Sequence, residues 1–443
     1  MKRRILPMIM AVIMILSIIQ VPAWAADGDD PMETADSNEL TDIGGGEPEA
    51  RDGNNVAQIG DTGYPTLQAA IDAAEDGQTV TLLTTVTESV TVGESQNITL
   101  DLNGQTLTNT DGFHTIENSG TLTIIGSGIV DNVSHARAAV YNNVNATVTI
   151  SGGTYTRSAE NGQTTEDNGG NSYYTLVNRG TMTVDGESVQ VNQGKDQVGR
   201  YSSLVENGWQ NGWNDKGYDN NPKPESAATP TLIISAGTFE CGLNTIKNDD
   251  FGVLQISGGT FRNSSQNTVL NANTAEITGG DFSGDKVVIY NYGYTTEPNV
   301  CTIAISDGTF SGRIVDNRSG HEGVTISGGI FSSDVSNYLS DSVKATEGAN
   351  GQFVVTPLEE SDPDAFAEVG GECYKSLSAA IAAAGDGDTV TLLKNTNEDI
   401  VIPEEAELIL DLNGKTLTNV SGDTITNNGT LTITGDGTVD NVT

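Results

Sequence analysis

The sequence predicts an all-β chain wound as a coil of stacked parallel strands. Two recurring patterns carry that prediction. The first is a short phrase at Val253–Phe261, Thr274–Phe282, Thr302–Phe310 and Val324–Phe331. Each copy alternates apolar and polar residues, passes through glycine and ends on Phe. Its central isoleucines, Ile256, Ile277, Ile305 and Ile326, are spaced by 21, 28 and 21 residues. Ile124, Ile150, Val184, Ile234 and Ile433 stand in the same setting. A fixed period of this size marks a repeat architecture. A unit of this length has no room for two helices. It cannot bury its own apolar stripe, so it must stack on the next unit, with neighbouring strands ~4.8 Å apart.

The second pattern is an apolar residue, one spacer and an asparagine. It occurs at Ile116–Asn118, Val140–Asn142, Leu176–Asn178, Val205–Asn207, Ile246–Asn248, Val269–Asn271, Ile289–Asn291, Val315–Asn317 and Ile425–Asn427. Asn tolerates the left-handed conformation of a tight corner better than other non-glycine residues. Stacked at one corner of successive turns, the amides can hydrogen-bond along the axis as a ladder. The predicted ladder is Asn118, Asn142, Asn178, Asn207, Asn248, Asn271, Asn291 and Asn317.

These two patterns together resemble the right-handed parallel β-helix of the pectin-lyase-like superfamily. The resemblance covers about Ala57 to Leu358 and restarts near Phe366. It implies a single-stranded right-handed coil of roughly ten turns with a short N-terminal capping helix. It also resembles large adhesin-like surface proteins of bacteria built from tandem modules.

Taken in order, the chain opens with Lys2, Arg3 and Arg4, an apolar run from Ile5 to Val21, then Ala23-Trp24-Ala25. Those are the three parts of a secretory signal, with cleavage expected after Ala25. Residues 26–56 are acidic and poor in large apolar side chains, which predicts a disordered spacer. Leu67, Ala70, Ile71 and Ala74 share one helical face, with Thr66 as N-cap and Gly77 as the stop. A helix there would plug the open end of the coil and block edge-to-edge association. Asp334–Ser340 reads as a small closing helix or turn, and Gln352–Thr356 as a last strand. Residues 359–365 form a linker, and 366–443 begin a second module. Asp411–Asn419 repeats Asp101–Asn109, and Tyr374–Gly387 repeats the capping helix. A frame continuing past Thr443 into further modules or a wall anchor is the expectation.

The formal charge is −40, or −43 once Lys2, Arg3 and Arg4 leave with the signal. Such a surplus disfavours nucleic acid and anionic lipid as partners, and no segment after the signal is apolar enough to span a bilayer. Oxygen ligands for Ca²⁺ abound, but no dedicated calcium motif occurs, so no cofactor or metal is predicted. Cys241 and Cys301 are expected three turns apart, roughly 14 Å along the axis. That is too far for a disulfide, and Cys373 lies in the next module.

Function is written in the irregularities. The longest stands between Asn207 and Thr231 and holds Trp209, Trp213 and Tyr218. Loops that break a repeat carry function on such scaffolds. Tyr292 and Tyr294 enlarge the same corner further along. These five aromatics are candidates for stacking on sugar rings, or for packing back on the coil. The expected partner is a polysaccharide or a host-surface glycan or protein. Enzymes of the resembled superfamily cleave acidic polysaccharides, so their motifs were sought. Asn109-Thr-Asp111 looks like one hydrolase segment, and Asp249-Asp250 is a carboxylate pair of the kind general acid/base chemistry needs. No Gly-His-Gly exists, since His321 follows Ser-Gly and precedes Glu, and Gly312-Arg-Ile-Val315 lacks the second cation. His114 and His135 stand alone. The reading adopted is an exported, non-catalytic binding rod, with a polysaccharide lyase or hydrolase acting through Asp249 and Asp250 as first alternative and a plain structural spacer as second.

Overall fold

The computed structural model describes residues 55–134, 136–158, 173–193, 203–209, 223–292, 301–317 and 323–443. The signal, the acidic spacer up to Asn54, Trp213, Tyr218 and Tyr294 lie outside the described residues.

The chain is a right-handed parallel β-helix with three strands per turn. The first face stacks ten parallel strands, from Thr79–Leu82 to Val324–Ile326. The second runs from Val86–Thr87 to Gly329–Phe331, and the third from Val90–Val92 to the end of Thr309–Asp316. A second module repeats the pattern, with Thr389–Leu392, Glu407–Asp411 and Thr430–Thr434 on its first face.

The recurring phrase explains each turn. In Val253–Ile256, Leu254 and Ile256 point inward and are buried, while Gln255 is exposed. The first glycine of the pair lets turns approach: a Cβ on Gly258 would lie 2.3 Å from the Ser235 carbonyl oxygen. The second turns the chain at φ +101° at Gly259, a conformation costly for any residue with a Cβ. The closing aromatic then enters the core. Phe239, Phe261, Phe282, Phe310 and Phe331 form one column of near-parallel rings with centroids 5.0, 4.6, 4.8 and 4.9 Å apart. Offset-stacked rings at this distance add to the burial of their area.

The asparagines line the end of the third face. Asn118 donates from Nδ2 to Asn142 Oδ1 at 2.8 Å, and the relay continues through Asn178, Asn207, Asn248, Asn271 and Asn291 at 2.7–2.8 Å. All seven are fully buried. The same amides also donate to main-chain oxygens, as Asn142 does to Thr181 at 3.0 Å. Two expectations need correction. None of these asparagines has positive φ; they close extended strands, so the amide rather than backbone tolerance explains the residue. The ladder also does not include Asn317, which is exposed. The register shifts within Asp281–Asn291 bring Asn291 opposite Asp316, so Ile314 points inward and Asp316 takes the ladder position. Asp316 accepts from Asn291 Nδ2 at 3.2 Å and from the Gly323 amide at 2.8 Å. Its two oxygens both accept, which suits the end of a relay whose donors all point one way.

The two helices close the entry ends of their modules. Leu67–Ala73 is capped by Thr66, whose Oγ1 accepts from Ala69 N at 3.1 Å. Leu67, Ala70 and Ile71 join the core, and the chain leaves the helix at Ala74, before Gly77. Glu88 reaches across and accepts from the Leu67 and Gln68 amides. Leu377–Ala383 copies this with Ser376 and Glu398. At the far end of the first module, Phe353–Pro357 pairs antiparallel with both Gly329–Phe331 and Val343–Glu347, breaking the parallel pattern. A short 3₁₀ turn, Ser336–Tyr338, precedes that hairpin.

Replacing one relay member strands its neighbours in the interior, which costs about 1–3 kcal/mol. Asn178→Ala is therefore expected to lower the urea midpoint clearly. Asn317→Ala should stay within about 0.5 kcal/mol, as surface changes do. Equilibrium unfolding of the two variants side by side checks both the ladder and its corrected end.

Candidate functional site

The connections single out one face. Turns from the first to the second face are short, such as Ile256 to Thr260 and Ile277 to Asp281. Every long connection enters or leaves the third face: Thr156 to Leu176, Val191 to Val205, Asn207 to Thr231 and Asn291 to Thr302. Charge follows the same asymmetry. Between residues 57 and 331, no Lys or Arg falls in a first-face strand or in the turn after it.

The residue between the apolar position and the asparagine points outward on the third face. The register puts Glu117, Tyr141, Val177, Glu206, Lys247, Leu270, Tyr290 and Val315 in one column. The first face shows threonine at such positions in its early turns, as in Thr149 and Thr183, and then Ile233, Gln255, Glu276 and Ala304, with no aromatic residue or cation among them. Sequence reading treated this position as a spacer. Strand alternation, in which i and i+2 share a side, was the signal that would have exposed it.

The column divides into a closed upper part and an open lower part. In the upper part Val177, Glu206 and Lys247 are buried although they point away from the coil. Arg179 Nη2 donates to Glu206 Oε2 at 2.7 Å, and its guanidinium lies 5.7 Å from the Trp209 ring centroid. Glu206 holds the Arg179 guanidinium ionised and raises its pKa well above the ordinary value, against the desolvation that favours loss of its proton. The Arg179 Nε has no hydrogen-bond partner among the described residues. Lys247 Nζ lies 2.7 Å from Asp249 Oδ2 and donates to Tyr174 Oη at 3.0 Å. Burial and the nearby Arg137 and Arg157 push the His114 imidazole down to about 3. Its Nδ1 accepts from the Ala138 amide at 2.9 Å, and its ring packs on Tyr141 and Tyr173.

The sequence-selected residues fall into this frame unevenly. Trp209 is buried, only 3% exposed, and its amide donates to the Asp250 carbonyl at 3.0 Å. Asp249 and Asp250 are both buried, and Asp249 is ion-paired with Lys247, so no solvent-open carboxylate pair forms there. Asn109 is buried and ties a turn, donating to Ser134 Oγ at 2.6 Å and to main-chain oxygens of Thr110 and Phe113. Cys241, Cys301 and Cys373 are free thiols. Among the described residues no group of three or more His, Cys, Asp or Glu is arranged to hold a metal ion, and no helix is long and apolar enough to cross a membrane.

The lower part is half-exposed. Tyr290 and Tyr292 stack with centroids 5.6 Å apart and planes 20° from parallel. Leu270 and Val315 flank Tyr290 on the adjacent turns. Partial burial and the second ring push the Tyr290 hydroxyl above its usual pKa, so it remains a donor at neutral pH. Tyr292 is among the aromatics expected to bind, and Tyr290 joins it as the outward residue of the adjoining strand. No family model matches the chain, and no curated protein or solved structure matches it either.

Arg179→Ala removes the cation from the buried Glu206 and is expected to cost about 3–5 kcal/mol, as breaking a buried pair does; denaturant unfolding measures it. His114 supplies a pH test. A folded-state pKa of about 3 against an ordinary 6.5 means that the unfolded chain binds the proton first. The contribution to stability is complete above 6.5 and is lost as pH falls from 6.5 toward 3. Thermal melts of wild type and His114→Phe across that range should converge toward the acid end, the variant showing the shallower pH dependence.

Proposed function

We propose that the protein is an exported, non-catalytic surface rod of the pectin-lyase-like type that binds glycans through its third face. One observation carries the reading. The long connections flank this face on both sides, and between them the outward column holds the aromatic and charged groups Tyr141, Glu206, Lys247 and Tyr290. Aromatic and cationic groups gathered on the one face that the long connections border are the mark of a binding surface on a repeat fold.

The open lower part supplies the contact. The stacked Tyr290 and Tyr292 rings offer apolar faces to a sugar ring and hydroxyls to its polar edge. Arg313, exposed two residues before Val315 on the same side of its strand, adds a fixed donor fork. The closed upper part serves as the rigid backing. The Arg179–Glu206 pair and the Trp209 ring over Arg179 brace the third face where the long connections leave it. Export is supported by the Lys2–Ala25 signal pattern, and a rod of stacked modules suits projection from a cell surface.

A glycan array read with wild type and a Tyr290→Ala/Tyr292→Ala variant tests the assignment. The double variant is expected to bind its best wild-type glycan at least ~10-fold more weakly, about 1.4 kcal/mol. Thr149→Ala/Thr183→Ala, on the first face, should bind as wild type does. Equal binding by all three proteins would remove the third face from the account.

A further inference from the structure

We infer that Lys247 and Asp249 join through their side chains in a self-formed isopeptide bond, with Glu206 as the proton carrier. Lys247 and Asp249 meet in the closed part of the third face, and Glu206 stands on the neighbouring strand. Lys247 Nζ stands 2.7 Å from Asp249 Oδ2, with side chains 5% and 0% exposed. That contact brings the amine to the roughly 3–3.5 Å scale of a near-attack arrangement on the carboxyl carbon. Glu206 is the direct cross-strand partner of Lys247 and is itself buried. Asn248 ends the strand and Asp249 follows it, so the bridge would straddle the inward-pointing ladder residue Asn248.

The surroundings favour condensation over a lasting ion pair. Burial of both side chains keeps out the bulk water that would otherwise solvate them separately. Tyr174 Oη, 3.0 Å from Nζ, holds the amine in place, and its ring lies 5.4 Å from the nitrogen. Arg179 fixes the Glu206 carboxylate at 2.7 Å.

The atoms balance without any added reagent. A proton passes from the Lys247 ammonium to the Asp249 carboxylate. The freed lone pair on Nζ attacks Cγ, and the C–N bond forms. Glu206 takes a proton from the attacking nitrogen and returns it to the departing hydroxyl. The C–O bond breaks, one water leaves, and Glu206 is regenerated. Nothing is oxidised or reduced.

Intact-mass spectrometry of the purified full-length chain, with peptide mapping after tryptic digestion, tests this. Wild type is expected to be lighter than its sequence by one water. Trypsin should fail to cleave after Lys247, leaving a peptide from Gly217 to Arg262 that carries the deficit. Lys247→Arg should show the full sequence mass. Glu206→Gln, with its β-sheet circular dichroism intact, should show the full mass and regain cleavage after Lys247. A wild-type chain of full mass that is cut after Lys247 overturns the bond, whether or not any variant folds. A Glu206→Gln protein with the wild-type deficit overturns the role given to Glu206.

Discussion

One buried amide per turn sets the register of this coil. A parallel strand that slips by a residue sends its core side chains to solvent, and apolar stacking alone penalises such a slip only through area. The asparagine relay adds a directional constraint. Each Nδ2 meets the Oδ1 of the next turn within 2.8 Å from Asn118 to Asn291. Chains of hydrogen bonds polarise one another, and a half-satisfied buried chain is costly. The relay therefore allows long connections to leave one turn without disturbing the next. The turn that holds Val205–Asn207 keeps its pairing with Leu176–Asn178 and Ile246–Asn248, although long connections precede and follow it.

That tolerance shapes the division of labour around the rod. The first face and the turn after it are crowded by backbone contacts, as at Gly258, and hold no Lys or Arg between residues 57 and 331. Extra residues enter only around the third face. Charges and aromatics collect there because connections can cover them, which makes Glu206 and Lys247 buried even though they point away from the core. The desolvation of Glu206 is offset by its pairing with Arg179, and Lys247 and Asp249 lie against each other at 2.7 Å.

Most of the fold was legible in the sequence because it is written repeatedly. The Ile-Ser-Gly-Gly-Thr-Phe phrase specifies an inward residue, a close approach, a left-handed turn and a core aromatic, and each recurs in register. Asn317 misled because a local register shift left the motif intact in sequence while moving Asp316 to the ladder position. The site was less legible, since its residues are distant in the chain. Nothing in the sequence joins Arg179 to Glu206, or Tyr174 to Lys247. Tyr290 was in plain view, yet the motif hid it as a spacer. Trp209 drew attention by its rarity, and it is covered, as bulky rings beside a buried cation tend to be.

Hydrogen exchange of the wild-type chain measures the central claim directly. If the amide relay holds the turns together, the slowest-exchanging peptides include Leu176–Asn178, Val205–Asn207 and Asn244–Asn248, despite the long connections beside them. Exchange of those strands as fast as the exposed turn at 348–351 would contradict the account.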